Sequence, residues 1–139
     1  MPLTYEIARD ESIVTVRGDF ATADEWRTLL NQIARDLRDE AGTVGILRDR
    51  RESVAPIDSH TIMAILDVVA QLWANVRLCG VAILTKNADD VPAQISVAIA
   101  DSRGIALMAF DSEDTARAWL RAVIRQPLGT GGDAPVSQT

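Results

Sequence analysis

Three short segments hold the side chains with which this chain could do chemistry: Arg48-Asp49-Arg50-Arg51-Glu52, Asp58-Ser59-His60-Thr61 and Thr85-Lys86-Asn87. The arginines at 48, 50 and 51 could clamp a phosphate or a carboxylate, because a planar guanidinium presents paired donors to two oxygens. They are interleaved with Asp49 and Glu52, so pairing within the segment competes with that use. His60 is the only histidine, which removes any two-histidine metal site. Asp58 and Ser59 precede it, but adjacent residues on a helix point apart and do not form a Ser-His-Asp relay. Asp67 and Gln71 follow His60 at i+7 and i+11, the spacing of a solvated helix edge, so an exposed histidine near a helix cap is the plainer reading.

Cys79 is the only cysteine, so neither an intrachain disulfide nor a cysteine metal cluster can form. It sits in the apolar run Leu78-Cys79-Gly80-Val81-Ala82-Ile83-Leu84, where a small buried thiol is expected. Gly129-Thr130-Gly131-Gly132 is no phosphate loop, since no strand precedes it and no helix follows. The chain therefore offers no nucleophile–base pair, metal set or nucleotide fingerprint. A protein without catalytic activity, metal or cofactor is expected.

The elements that position these segments come from a chain of 139 residues, 47% hydrophobic and 24% charged, with a net charge of −6. That length suits one domain able to bury roughly two-thirds of its unfolded surface without staples. The negative balance opposes phosphate backbones and anionic lipid surfaces, so nucleic acid is not an expected partner. Met1-Pro2-Leu3-Thr4-Tyr5-Glu6 lacks a basic region followed by an apolar one, and no apolar stretch approaches the ~20 residues needed to span a bilayer. A cytoplasmic protein with no membrane span is the resulting expectation.

Leu3 to Ala8 and Ile13-Val14-Thr15-Val16 flank the polar turn Arg9-Asp10-Glu11 and read as a hairpin. Thr22-Ala23-Asp24-Glu25 is a capping box, and Trp26, Leu29, Leu30, Ile33 and Leu37 follow at helical spacing. Val44-Gly45-Ile46-Leu47 is a short buried strand with charges after it. Asp58 caps a second helix over 59–74, and Leu78 to Thr85 is the clearest buried strand. A third helix over 89–101 should turn Val91, Ile95, Ala98 and Ile99 inward. Ile105 to Phe110 is the last strand. Asp111 or Ser112 caps a final helix with inner face Ala116, Trp119, Leu120, Val123 and Ile124, and Pro127 stops it. Residues 1–126 thus form one domain, and 127–139, rich in Gly, Ser, Thr and Pro, form an expected disordered tail.

The order is ββαβαβαβα, an α/β fold with a mixed, mainly parallel five-stranded sheet, an antiparallel edge strand and four helices. Such sheets bind ligands or partners beyond the carboxyl ends of their strands. Arg48, Asp49, Arg50 and Arg51 should meet Asp58, Ser59, His60 and Thr61, and Thr85 and Lys86, at that rim.

The element order, with Pro56-Ile57-Asp58-Ser59-His60-Thr61-Ile62 opening the helix after the third strand, resembles the STAS family, typified by SpoIIAA. The resemblance covers about residues 3–125, and Ala116-x-x-Trp119-Leu120 resembles the last helix of a divergent SpoIIAA-like branch. It implies a bacterial-type regulatory domain that binds proteins. In switching members, the second Ser or Thr of an Asp-Ser-Ser/Thr-Gly motif is phosphorylated. Here that position is His60 and the glycine is Thr61, so the familiar switch is not supported, though Ser59 and Thr61 flank the position.

The second helix departs from a plain amphipathic pattern. Ile62, Met63, Ile65, Leu66, Val68, Val69, Leu72 and Trp73 cover about 240° of the helical wheel, where packing on one face needs roughly 100° or more. A neighbouring helix, a second copy of the chain in a homodimer, or an apolar ligand could cover the excess. The related SEC14-like lipid-carrying folds make the last reasonable, with Ile62, Met63, Leu66, Val69 and Trp73 as the apolar surface. Two functions follow. The preferred one is a non-catalytic interaction domain that meets a protein partner through the second helix. The alternative is a carrier or sensor of a lipid, quinone or other apolar molecule, with the Arg48 to Arg51 loop near its polar head.

Overall fold

The computed structural model describes residues 3–19, 22–53 and 58–125. The expected tail at 127–139, and Pro56 and Ile57 of the helix-opening motif, lie outside the described residues. The elements run β1 (Thr4–Ala8), β2 (Ile13–Arg17), α1 (Ala23–Asp36), β3 (Val44–Asp49), α2 (Ser59–Val76), β4 (Leu78–Leu84), α3 (Val91–Ser102), β5 (Leu107–Phe110) and α4 (Glu113–Ile124). The sheet order is β1-β2-β3-β4-β5, with β1 antiparallel to β2 and every other pair parallel. This is the expected α/β architecture.

Sequential parallel strands joined by right-handed crossovers place their helices on one face of the sheet. Here α1, α2 and α3 cover one face and α4 alone covers the other. Strand alternation divides the side chains accordingly. Val14, Val16, Ile46 and Val81 join the core under α1, α2 and α3, whereas Ile13, Leu47, Ala82 and Leu84 meet Ala116 and Leu120 of α4. Helix α4 comes very close to the sheet: a Cβ on Gly45 would lie 2.8 Å from Leu120 Cδ2, and one on Gly80 would lie 3.3 Å from Trp119.

Local chemistry fixes the helix ends. The Thr22 and Glu25 capping box forms in both directions, and all five residues of the α1 stripe are buried. Asp58, Asp90 and Ser112 cap α2, α3 and α4, each accepting an N–H from the residue three positions on. Helix α2 ends at Arg77 in the left-handed region (φ 61°), and the Arg77 guanidinium donates to the Leu37 and Glu40 carbonyls beyond α1. These bonds tie the carboxyl ends of α1 and α2 together.

Two expectations about packing are corrected. Val91 is 69% exposed and Ala98 is also exposed, while Ala93 and Ala100 form the buried stripe of α3. Asp90 caps the helix and Pro92 occupies its first turn, so the helix begins at Val91 with that side chain turned to water. Strand β3 continues through Arg48 and Asp49, both buried, rather than releasing them to a loop. Cys79 is half-buried: the register advances from Val44 opposite Leu78 to Gly45 opposite Gly80, which leaves Cys79 as a bulge residue. Its thiol donates to the Val44 carbonyl at 3.3 Å, and burial pushes it above its ordinary pKa.

Candidate ligand-binding site

A cavity of about 520 Å³ opens between the sheet and α2. Its floor is the inward set of three adjacent parallel strands: Ile46 of β3, Val81 and Ile83 of β4, and Leu107 of β5. Its roof is one side of α2, with Ile62, Ile65, Leu66 and Val69. The first turns of α1 and α3 close the flanks with Thr22, Trp26, Asp90, Pro92, Ala93 and Ser96. The right-handed crossovers that set all three helices on one face also bring their N-termini to the carboxyl ends of the strands. The mouth of the cavity is therefore polar and its interior apolar.

Arg48 dominates the polar end. Only 7% of its surface is exposed. Its Nη1 donates to the Val16 carbonyl at 3.4 Å and the Asp49 carbonyl at 3.3 Å, and its Nη2 donates to the Gly18 carbonyl at 3.0 Å. The guanidinium carbon stands 5.8 Å from the centre of the Trp26 ring, within cation–π reach. Burial, reinforced by the charge of Arg50, brings the Arg48 pKa down to about 10, against the opposing pull of Asp19 and Asp49. Arg50, Ser53 and Thr85 line the same end. The Ser53 hydroxyl donates to the Gly18 carbonyl at 3.2 Å, so one carbonyl anchors both Ser53 and Arg48.

The two carboxylates at the mouth have structural duties. Asp58 accepts the Thr61 N–H at 2.8 Å and Asp90 accepts the Ala93 N–H at 2.9 Å. The Thr61 main-chain bond is the first cause holding the Asp58 carboxyl below its ordinary value. Among the described residues there is no group of three or more His, Cys, Asp or Glu placed to hold a metal ion.

The expected rim is thus brought together in part. Arg48, Arg50, Asp58, Thr61 and Thr85 line the cavity, whereas Ser59, His60 and Lys86 are exposed outside it. Asp49 and Arg51 point to the opposite face. Arg51 grips Asp49 with Nε at 3.1 Å and Nη2 at 2.9 Å, and reaches Glu113 at 3.1 Å. Arg117 joins Glu113 at 2.9 Å to Glu11 at 2.8 Å, and Arg121 meets Glu11 at 3.1 Å, so this chain of ion pairs clamps α4.

The apolar set divides as well. Ile62, Leu66 and Val69 line the cavity, but Met63 faces water at 41% exposure and Trp73 packs against the main core. An α2 wheel this apolar exceeds what one neighbour can cover, and the structure distributes it among α1, α3 and the cavity. Thr22, Trp26, Ser53, Asp90 and Ser96 were not expected in the site. The signal was present: Thr22, Asp58 and Asp90 are all helix caps following parallel strands, and such caps converge on one end of the sheet.

A search of solved structures matches an uncharacterized protein of the DUF3478 family, with a SpoIIAA-like fold, from Shewanella loihica PV-4. The TM-score is 0.61 at 13% identity, covering 86% of this chain and 94% of that one. The fold is SpoIIAA-like. At that identity the likeness extends to the fold alone. No family model and no curated protein matches the chain. The SpoIIAA-like frame agrees with the resemblance drawn from the helix-opening segment, of which Asp58-Ser59-His60-Thr61 begins α2 here. Among the described residues, no helix is long and apolar enough to cross a membrane.

Proposed function

We propose that this SpoIIAA-like domain is a non-catalytic carrier or sensor that holds a small apolar molecule between its sheet and α2. The observation that carries this reading is the cavity of about 520 Å³, floored by Ile46, Val81, Ile83 and Leu107 and roofed by Ile62, Leu66 and Val69. A volume of that order lies within the ~300–1,000 Å³ of small-molecule sites, and an apolar lining with a few convergent polar groups is their usual make-up. Asp58 and Asp90 are occupied as helix caps, and Arg48 and Ser53 bind main-chain carbonyls, an arrangement suited to holding a ligand in place. The protein-binding role preferred from sequence draws on less, since Met63 is the one large apolar side chain of α2 strongly exposed to water.

Native mass spectrometry of the purified protein, repeated after organic denaturation, tests the reading alongside uptake of the neutral dye N-phenylnaphthylamine. The expected result is added mass that denaturation removes, or dye uptake by the emptied protein, and loss of both in Val69→Phe, which fills the roof. A folded protein that shows no adduct and excludes the dye would overturn it and return preference to a protein partner at α2.

A further inference from the structure

The apolar-ligand reading leaves open why a cavity between sheet and helix should end in arginine. Arg48 is a charged group removed from water, at 7% exposure. Its three hydrogen bonds go to the neutral main-chain carbonyls of Val16, Gly18 and Asp49. Among the described residues, no carboxylate oxygen lies within 4.0 Å of its guanidinium. A guanidinium has five N–H donors, so two remain after those bonds. Asp19 and Asp49 act on this cation only from beyond ion-pair distance, so its removal from water is compensated in part, and a second guanidinium, Arg50, lines the same end. Asp58 and Asp90 do not meet this need. Each carboxylate accepts a hydrogen bond at the start of its own helix, where it already faces the positive end of the helix dipole.

From these contacts we infer that the site takes a single-chain amphiphile with an anionic head, the head at Arg48 and Arg50 and the tail between Leu66 and Val69 above and Ile46 and Val81 below. This rests on the apolar-ligand reading and adds the charge, orientation and size of the ligand. A cavity of about 520 Å³ lies within the ~300–1,000 Å³ of small-molecule sites, a scale that suits one medium-length chain with its head. Trp26 lines the cavity with its ring 5.8 Å from the Arg48 guanidinium, and so adjoins the polar end. Burial depresses the Arg48 pKa only to about 10, so the cation persists at neutral pH.

Titration calorimetry on the full chain, with laurate, lauryl phosphate and lauryl alcohol as probes, tests the inference. The three share a tail and differ in the head. At least one of the two anions should bind about tenfold or more tightly than the alcohol, as charge-assisted bonds to arginine imply. The preferred anion tells a carboxylate head from a phosphate head. Arg50→Gln should cut the preference for the anion severalfold while the affinity for the alcohol changes little. Arg48→Lys, which keeps the charge but loses the fork, should do the same if it folds. The comparison of probes on the unaltered protein stands without either variant. Alcohol binding as tight as that of both anions, or a preference untouched in folded Arg50→Gln, would overturn the inference and leave the apolar cavity standing. Dye uptake with no binding of any lauryl probe would also overturn it. Exclusion of the neutral dye together with all three probes would remove the apolar-ligand reading as well.

Discussion

Arg48 and Asp49 are neighbours in sequence and opposites in role. Strand alternation turns the first into the cavity under α2 and the second toward α4, where Arg51 and Arg17 hold it at 2.9 and 3.4 Å. Burial acts to raise the Asp49 carboxyl, and the side-chain and main-chain bonds from Arg51, with the charges of Arg51 and Arg17, carry it below its ordinary value. A carboxyl depressed in the folded state contributes its full stability above the unfolded value, near 3.8, and loses it as pH falls through the lower folded value. Glu113, lowered first by its bond to Arg117, acts in the same direction. Urea midpoints should therefore hold from neutral pH to about 5 and fall through the window below 4, and Asp49→Asn should flatten that acid slope. Neither residue's burial was legible in the sequence. Charges just past an apolar run read as a loop, and the carbonyls that bind Arg48, of Val16 in β2 and of Gly18 just after it, lie 32 and 30 positions away.

At the scale of elements, the helices were far more legible than their contacts. The α1 stripe and its capping box are local signals, set by spacing and by side chains that reach three residues, and they survive intact in the fold. Helix α2 carried an excess of apolar surface whose destination depends on neighbours that the sequence does not rank. Hence, of the apolar ligand or dimer surface expected on α2, Leu66 and Val69 line the cavity while Trp73 packs against the main core. The close approach of α4 was likewise hidden, because it depends on the absence of side chains at Gly45 and Gly80. Gly45→Ala would place a Cβ 2.8 Å from Leu120 Cδ2 and should cost about 1–3 kcal/mol as overpacking. Leu120→Ala should cost about 2–5 kcal/mol on its own. Because the second change makes room for the first, the double variant should lose less than the sum, measurable as a coupling in a denaturation cycle.

At the scale of the molecule, the two faces of the sheet are built to different specifications. The α4 face is closely packed and laced with ion pairs, while the opposite layer is solid under α1 and hollow under α2. A side chain on the wall of a hollow has already forfeited contacts on one side. Truncating Leu66, which lines the cavity, should therefore cost less than truncating Leu30, fully buried on the inner face of α1. Both lie in the ~2–5 kcal/mol range of Leu→Ala, with Leu30→Ala toward the top and Leu66→Ala toward the bottom, as read from urea unfolding at constant slope. The strand order β1-β2-β3-β4-β5 adds a consequence in time. Every strand pairs with its immediate predecessor, so the sheet can lengthen one unit at a time as the chain leaves the ribosome, with no strand waiting for a distant mate. The cavity side is complete once β5 is laid down. The surface of Ile13, Leu47, Ala82 and Leu84 stays bare until α4, which follows β5 in the chain, folds back across it.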